Sequence, residues 1–132
     1  MKIPTPPKTI TAAEADRSLY GYAATVDAAY DADTLTVTID LGLKVFVREK
    51  VRLARIDAPE VRGIERPEGL IARDWVREHI VGQKVYLRTI RDKKGKYGRY
   101  LAEVYYWQPP WMDLSNLSDR LVRLGLAHYQ EY

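Results

Sequence analysis

Apolar and polar residues alternate most cleanly between Thr34 and Leu41. Leu35, Val37, Ile39 and Leu41 occupy one face there, and Thr34, Thr36, Thr38 and Asp40 the other. A period of two is that of a strand with one face buried. An earlier strand is predicted from Tyr20 to Ala29. The turn Leu41-Gly42-Leu43-Lys44 leads into a long arm, Val45 to Ile56, so these segments form a hairpin or meander. Pro59 ends that arm, because proline has no N–H for a sheet ladder. After a loop through Gly63 and Pro67 the period becomes helical, with Leu70, Ile71, Trp75, Val76 and Ile80 recurring and Gly82 just past them. A fourth strand is predicted over Val85 to Ile90 and a fifth from Arg99 to Trp107, joined by the charged turn Asp92 to Lys96. Pro109-Pro110 closes the fifth. Asn116 is placed to cap a last helix that carries Asp119 in its first turn, Leu117, Leu121 and Leu124 on one face, and Gly125 at its end.

Three strands, a helix, two strands and a helix make the order of a five-stranded OB-fold barrel with two helices. The expected fold class is therefore mainly β within α+β. The 132 residues are enough for one such domain with its own core. Residues 1–18 have little apolar periodicity and carry Pro4, Pro6 and Pro7. They are expected to form an extended arm before a domain spanning 19–132.

Composition narrows the chemistry. With no cysteine there is no disulfide framework and no thiolate metal site. His79 and His128 lack metal-ligand spacing, which argues against a histidine-rich zinc site. The net charge of +3 and a pI near 9.1 favour a polyanionic partner without requiring one. Ten tyrosines and three tryptophans stand against the single Phe46. Most of those tyrosines are expected in half-buried strands rather than against bases. No apolar run reaches membrane-spanning length, so a soluble protein with no membrane partner is expected. The first residues lack the apolar stretch of a signal peptide. That points to the cytoplasm or to a phage or plasmid gene, with export left open for a processed form.

Four segments concentrate the charge. They are Asp31-Ala32-Asp33-Thr34 opening strand two, Arg52-Leu53-Ala54-Arg55-Ile56-Asp57-Ala58-Pro59-Glu60 closing strand three, Lys96-Tyr97-Gly98-Arg99 opening strand five, and Leu121-Val122-Arg123-Leu124-Gly125-Leu126-Ala127 on the last helix. Taken singly, each has an ordinary reading: turn carboxylates, a strand end, a basic hairpin loop, a helix face. Taken together and in this order, no ordinary reading accounts for the acidic and basic sets.

In that order the segments resemble the staphylococcal nuclease (thermonuclease) family, whose signature runs Asp-Gly-Asp-Thr, Arg-x4-Asp-x-Pro-Glu, Lys-Tyr-Gly-Arg and Leu-Val-x-x-Gly-Leu-Ala. The resemblance extends from about Tyr22 to Tyr129. It implies a Ca²⁺-dependent phosphodiesterase that cleaves DNA and RNA with low sequence specificity, leaves 3′-phosphates, and takes single-stranded DNA and RNA as partners; a monomer is expected. It implies further that Asp33, Asp57 and the Ala58 carbonyl bind the ion, with Asp31 one layer behind. Glu60 then resembles the general base, Arg52 and Arg99 the two phosphate-gripping guanidinium groups, and Lys96 and Tyr97 the contacts to a terminal phosphate. Tyr129 is placed to help line a base pocket, with surface packing as its alternative. Hard oxygen donors suit calcium, and two arginines suit a phosphate by their planar forks.

One local check runs against the resemblance. On a regular strand Arg55 shares the face of Asp57, and Arg52 points the other way. The family interval selects Arg52, so a bend or bulge must re-aim the strand end, and Arg55 reads as a solvated strand residue. Ala32 stands where the family usually has glycine, and would strain the turn if a positive φ is needed there. The preceding stretch Val26 to Tyr30 is long, which makes Asp27 an alternative to Asp31. Two rival functions stay open at this point: a catalytically silent nucleic-acid-binding module of the same fold, and a protein-interaction domain using the aromatic loop from Trp107 to Trp111.

Overall fold

A computed structural model describes residues 11–12, 20–94 (backbone only for 91–94), 99–107 and 114–130. Five long strands form its frame: β1 (Gly21–Asp31), β2 (Thr34–Gly42), β3 (Val45–Leu53), β5 (Lys84–Lys94) and β6 (Tyr100–Trp107). They pair in the order β3-β2-β1-β5-β6. A parallel contact of β3 with β6, Val51 opposite Tyr100, closes the sheet on itself. All the other ladders among the five are antiparallel. The result is the expected closed OB-type barrel, with the helices α1 (Arg66–His79) and α2 (Leu117–Arg123) among the described residues.

Short elements add to the expected order among the described residues. β4 (Ile56–Asp57) pairs with β8 (His128–Tyr129), β7 (Leu114–Asn116) extends β6, and a 3-10 turn spans Gly63–Glu65. The arm, apart from residues 11–12, and the loop 108–113 lie outside the described residues, as do Lys96 and Tyr97.

Burial follows the two periodicities. Leu35 and Val37 on β2 are fully buried, as are Val26, Val51, Leu53, Val85 and Val104 from its neighbours. Leu41 is exposed because it lies near the hairpin tip, beyond the barrel. The tip turns on Leu43 and Lys44, both with positive φ, the geometry that suits the right-handed twist of paired strands. On α1 the buried face is Gly69, Ala72 and Val76. Ile71, expected inside by its spacing, is turned out. On α2, Leu117 and Leu121 seal the barrel, while Leu124 falls after the helix and is partly exposed. Asn116 caps α2 as its sequence position predicts, its side-chain oxygen accepting from the Asp119 N–H at 3.0 Å.

Two features of the strands bear on the site. β1 is lengthened by two β-bulges: Val26 and Ala28 face Val37 and Thr36, and Ala29 and Asp31 face Leu35 and Thr34. Asp27 and Tyr30 are thus the extra residues. The line of β3 is broken at Arg55, whose φ is +68°. Ala54 still donates to the Ala102 carbonyl at 2.9 Å, and a two-residue turn at 54–55 leads into β4.

Candidate active site

The Thr34–Arg52 pairing in the β2–β3 ladder sets the centre of the site. Arg52 is almost fully buried, yet its guanidinium is spread between two carboxylates. Nη1 donates to Asp33 Oδ2 at 2.6 Å, and Nη2 donates to Asp57 Oδ1 at 3.0 Å. Asp33, also buried, accepts a second bond at Oδ2 from the Ala58 N–H at 2.9 Å. Its Oδ1 receives the Thr34 hydroxyl at 3.3 Å, and the same hydroxyl oxygen accepts from Arg99 Nη1 at 2.9 Å. A buried carboxylate without such partners would be costly, and these bonds give both Asp33 oxygens a partner inside the fold.

The break at Arg55 is what brings Asp57 to this side. A regular strand would have left Asp57 and Arg52 on opposite faces; the break at Arg55 re-aims Asp57. Arg55 itself is no solvated strand residue. It holds Glu103 through Nε at 2.6 Å and Nη2 at 3.0 Å, Asp119 through Nη1 at 2.9 Å, and Asn116 at 3.2 Å. Those bonds push its ionisation further up.

Glu60 extends along the loop after β4, exposed. Its neighbours are fixed by the chain around it. The Glu60 N–H donates to Glu65 Oε2 at 2.9 Å, the Val61 N–H to Asp31 Oδ1 at 3.1 Å, and Arg66 Nη1 to the Val61 carbonyl at 2.9 Å. Burial pushes the Asp31 carboxyl above its ordinary value. The negative charges of Asp33 and Glu60 add to that rise, while the Val61 amide and Arg99 oppose it. Asp27 is elsewhere, accepting from the Thr38 hydroxyl at 2.6 Å and lying 3.7 Å from Arg48. Asp31, rather than Asp27, therefore belongs to this group.

Asp31, Asp33, Asp57 and Glu60 share one open cavity of about 440 Å³ with Arg52 and Arg99. Ala58 lines it as well, and so do Lys50, Thr36, Tyr30 and Arg62. None of these last four lies within the four charged segments of the signature. Lys50 had a usable signal, since it lies two residues before Arg52 on the same strand face. Tyr129 is not brought into the cavity: its hydroxyl donates to Asp119 Oδ1 at 2.9 Å, and its ring lies 6.0 Å from the Arg55 guanidinium carbon. His128, next to it, stands 3.9 Å from Asp57 Oδ2.

Among the described residues no three acidic or histidine side chains gather closely enough to hold an ion by themselves. The donors at hand are two carboxylates bridged by Arg52, one of them buried, with a backbone segment at Ala58 and an open, water-accessible side. That set fits a hard divalent cation, which completes its shell with carbonyl and water oxygens, and it suits zinc poorly.

The model of the staphylococcal nuclease homologue family matches residues 50–132. The chain is 33% identical to the thermonuclease of Staphylococcus intermedius over 87 residues, which cover 64% of the chain and 48% of that protein. It is 30% identical to the thermonuclease of Staphylococcus hyicus over 105 residues, 77% of the chain and 56% of that protein. It is also 32% identical over 85 residues to a probable endonuclease LCL3 of Paracoccidioides brasiliensis, covering 61% of the chain and 24% of that protein. The chain thus spans about half the length of the thermonucleases it matches.

Proposed function

We propose, from the premise that this chain belongs to the staphylococcal nuclease family, that its cavity hydrolyses phosphodiester bonds of single-stranded DNA and RNA with calcium as cofactor. The observation that carries this reading is the convergence of Asp33, Asp57, Glu60, Arg52 and Arg99, drawn from three separate segments, on one open cavity.

Each group has a role suited to its place. Asp33 and Asp57, with the Ala58 carbonyl and with Asp31 one layer behind, would hold the calcium ion. When bound, that ion supplies Lewis-acid polarisation of a phosphate oxygen. Glu60 is exposed at the cavity and takes a proton from the attacking water, a role typically contributing about 10²–10⁴-fold in rate. Arg52 and Arg99 present planar donors to the phosphoryl oxygens as negative charge builds on them. Attack at phosphorus breaks the bond to the 5′ oxygen, which leaves as the hydroxyl, and the phosphate stays on the 3′ side. Backbone and phosphate contacts of this kind carry no sequence information, which fits low specificity.

The test is incubation of the full chain with single-stranded DNA in millimolar calcium, beside a chelator control and a Glu60→Gln variant. Cleavage abolished by chelator and lowered at least 100-fold in the variant is the expected result. Binding without cleavage at every calcium level would instead make the chain a silent binding module.

A further inference from the structure

We infer that Tyr30 and Arg62 form a base-stacking platform on the rim of the cavity, which takes the nucleobase of a nucleotide flanking the scissile phosphate. The inference rests on the reading of the cavity as a nuclease site and adds to it a recognition element from residues outside the family signature.

Tyr30 is the unpaired residue of the second β1 bulge, inserted between Ala29 and Asp31, which face successive residues of β2. A bulge of this kind re-aims a side chain out of the regular in-and-out alternation. Here it leaves the tyrosine half-exposed beside a cavity-lining carboxylate. Arg62 comes from the other wall, two residues beyond Glu60. Its guanidinium carbon lies 5.5 Å from the centre of the Tyr30 ring, a cation–π pairing. Both side chains line the same cavity.

The chemistry selects the ligand. An exposed aromatic ring gains little from water and much from another flat, polarisable face; a guanidinium plane stacks on bases in the same way. Ring and cation together offer a flat surface and a positive charge within reach of the same nucleotide. Aromatic stacking accepts any base, since every base has a π-face. A base can use the platform only when it is out of a duplex stack, so the platform favours single strands over duplexes.

The experiment measures binding by fluorescence anisotropy of the full chain, in chelator, to labelled oligothymidylate and to an abasic phosphodiester oligomer of the same length. Wild type is expected to bind oligothymidylate about tenfold or more tightly than the abasic oligomer. Tyr30→Ser should remove most of that difference by weakening oligothymidylate binding alone, Tyr30→Phe should keep it, and Arg62→Gln should narrow it. Equal weakening on both oligomers in Tyr30→Ser, an undiminished difference there, or no difference or no binding in wild type would each overturn the inference. Cleavage is read separately in calcium. A chain that discriminates through Tyr30 but never cleaves fails the nuclease reading alone, and one that cleaves without Tyr30-dependent discrimination fails this inference alone.

Discussion

Gly69 of α1 packs directly against the backbone carbonyl of Glu60: a Cβ at Gly69 would overlap that carbonyl and stand 2.8 Å from the Val61 nitrogen. In an ordinary helix interior, alanine in place of glycine stabilises by roughly 0.5–1 kcal/mol. The close approach reverses that expectation, because the obstacle is backbone and cannot rotate away. Either α1 or the segment carrying Glu60 must shift. Gly69→Ala is therefore expected to lower kcat by about 10- to 100-fold, the scale of a misplacement near 1 Å, with the Glu60 side chain intact. Steady-state kinetics beside urea denaturation separates this from unfolding: a kcat equal to wild type would show that the loop accommodates the methyl group.

Arg52 is the counter-charge of a buried carboxylate as well as a candidate phosphate ligand. Arg52→Ala leaves Asp33 inside the fold with the Ala58 N–H and the Thr34 hydroxyl as its hydrogen-bond donors among the described residues. Removing one partner of a buried pair costs about 3–5 kcal/mol. A divalent cation held by the same carboxylates would restore part of the lost positive charge. Thermal unfolding is thus expected to show a much lower Tm for the variant than for wild type, and a larger upward shift on adding calcium. Equal calcium shifts in the two proteins would separate cation binding from the carboxylates that Arg52 neutralises.

The barrel and most of the charged centre are legible in the sequence because both rest on local rules. Period-two alternation marks Leu35 to Ile39, proline and glycine mark the ends of elements, and the acidic and basic sets sit at strand ends. What was not legible depends on how segments meet. Nothing near Ile71 indicates that α1 would bury Gly69 and Ala72 instead, since that follows from the approach to Glu60. Arg55 could not be told from a solvated arginine, because Glu103, Asn116 and Asp119 reach it from distant elements. Tyr30 was hidden by a bulge that no residue type announces.

Ala32 illustrates the same limit from the other side. Its replacement of the family's usual glycine suggested strain, but Ala32 is not among the residues with positive φ, and it is fully buried in the core. Glycine there would remove a packed methyl group and loosen the unfolded chain. Ala32→Gly is expected to destabilise the protein by about 1 kcal/mol and to leave kcat within twofold of wild type. A rise in both stability and activity, read by urea denaturation and by cleavage rate, would show that the turn is strained by alanine after all.

Arg55 ties β4, β6 and α2 together, and its contribution carries a pH signature. The hydrogen bond from Arg55 holds the Asp119 carboxyl below its ordinary value; burial opposes this, and the Tyr129 hydroxyl adds to it. A carboxyl lowered in the folded state contributes stability that is present above its unfolded value, about 3.9, and is lost as pH falls through the folded one. Arg55 is nearly half exposed, so its charged hydrogen bonds are discounted for solvent, and Arg55→Gln is expected to cost about 1–2 kcal/mol at pH 7. Below pH 4 wild type should lose more stability than the variant as Asp119 protonates, and the gap between them should narrow. Urea midpoints at pH 7 and pH 3 measure both numbers. A gap that stays constant would mean that Arg55 acts through packing and Glu103 rather than through the Asp119 carboxylate.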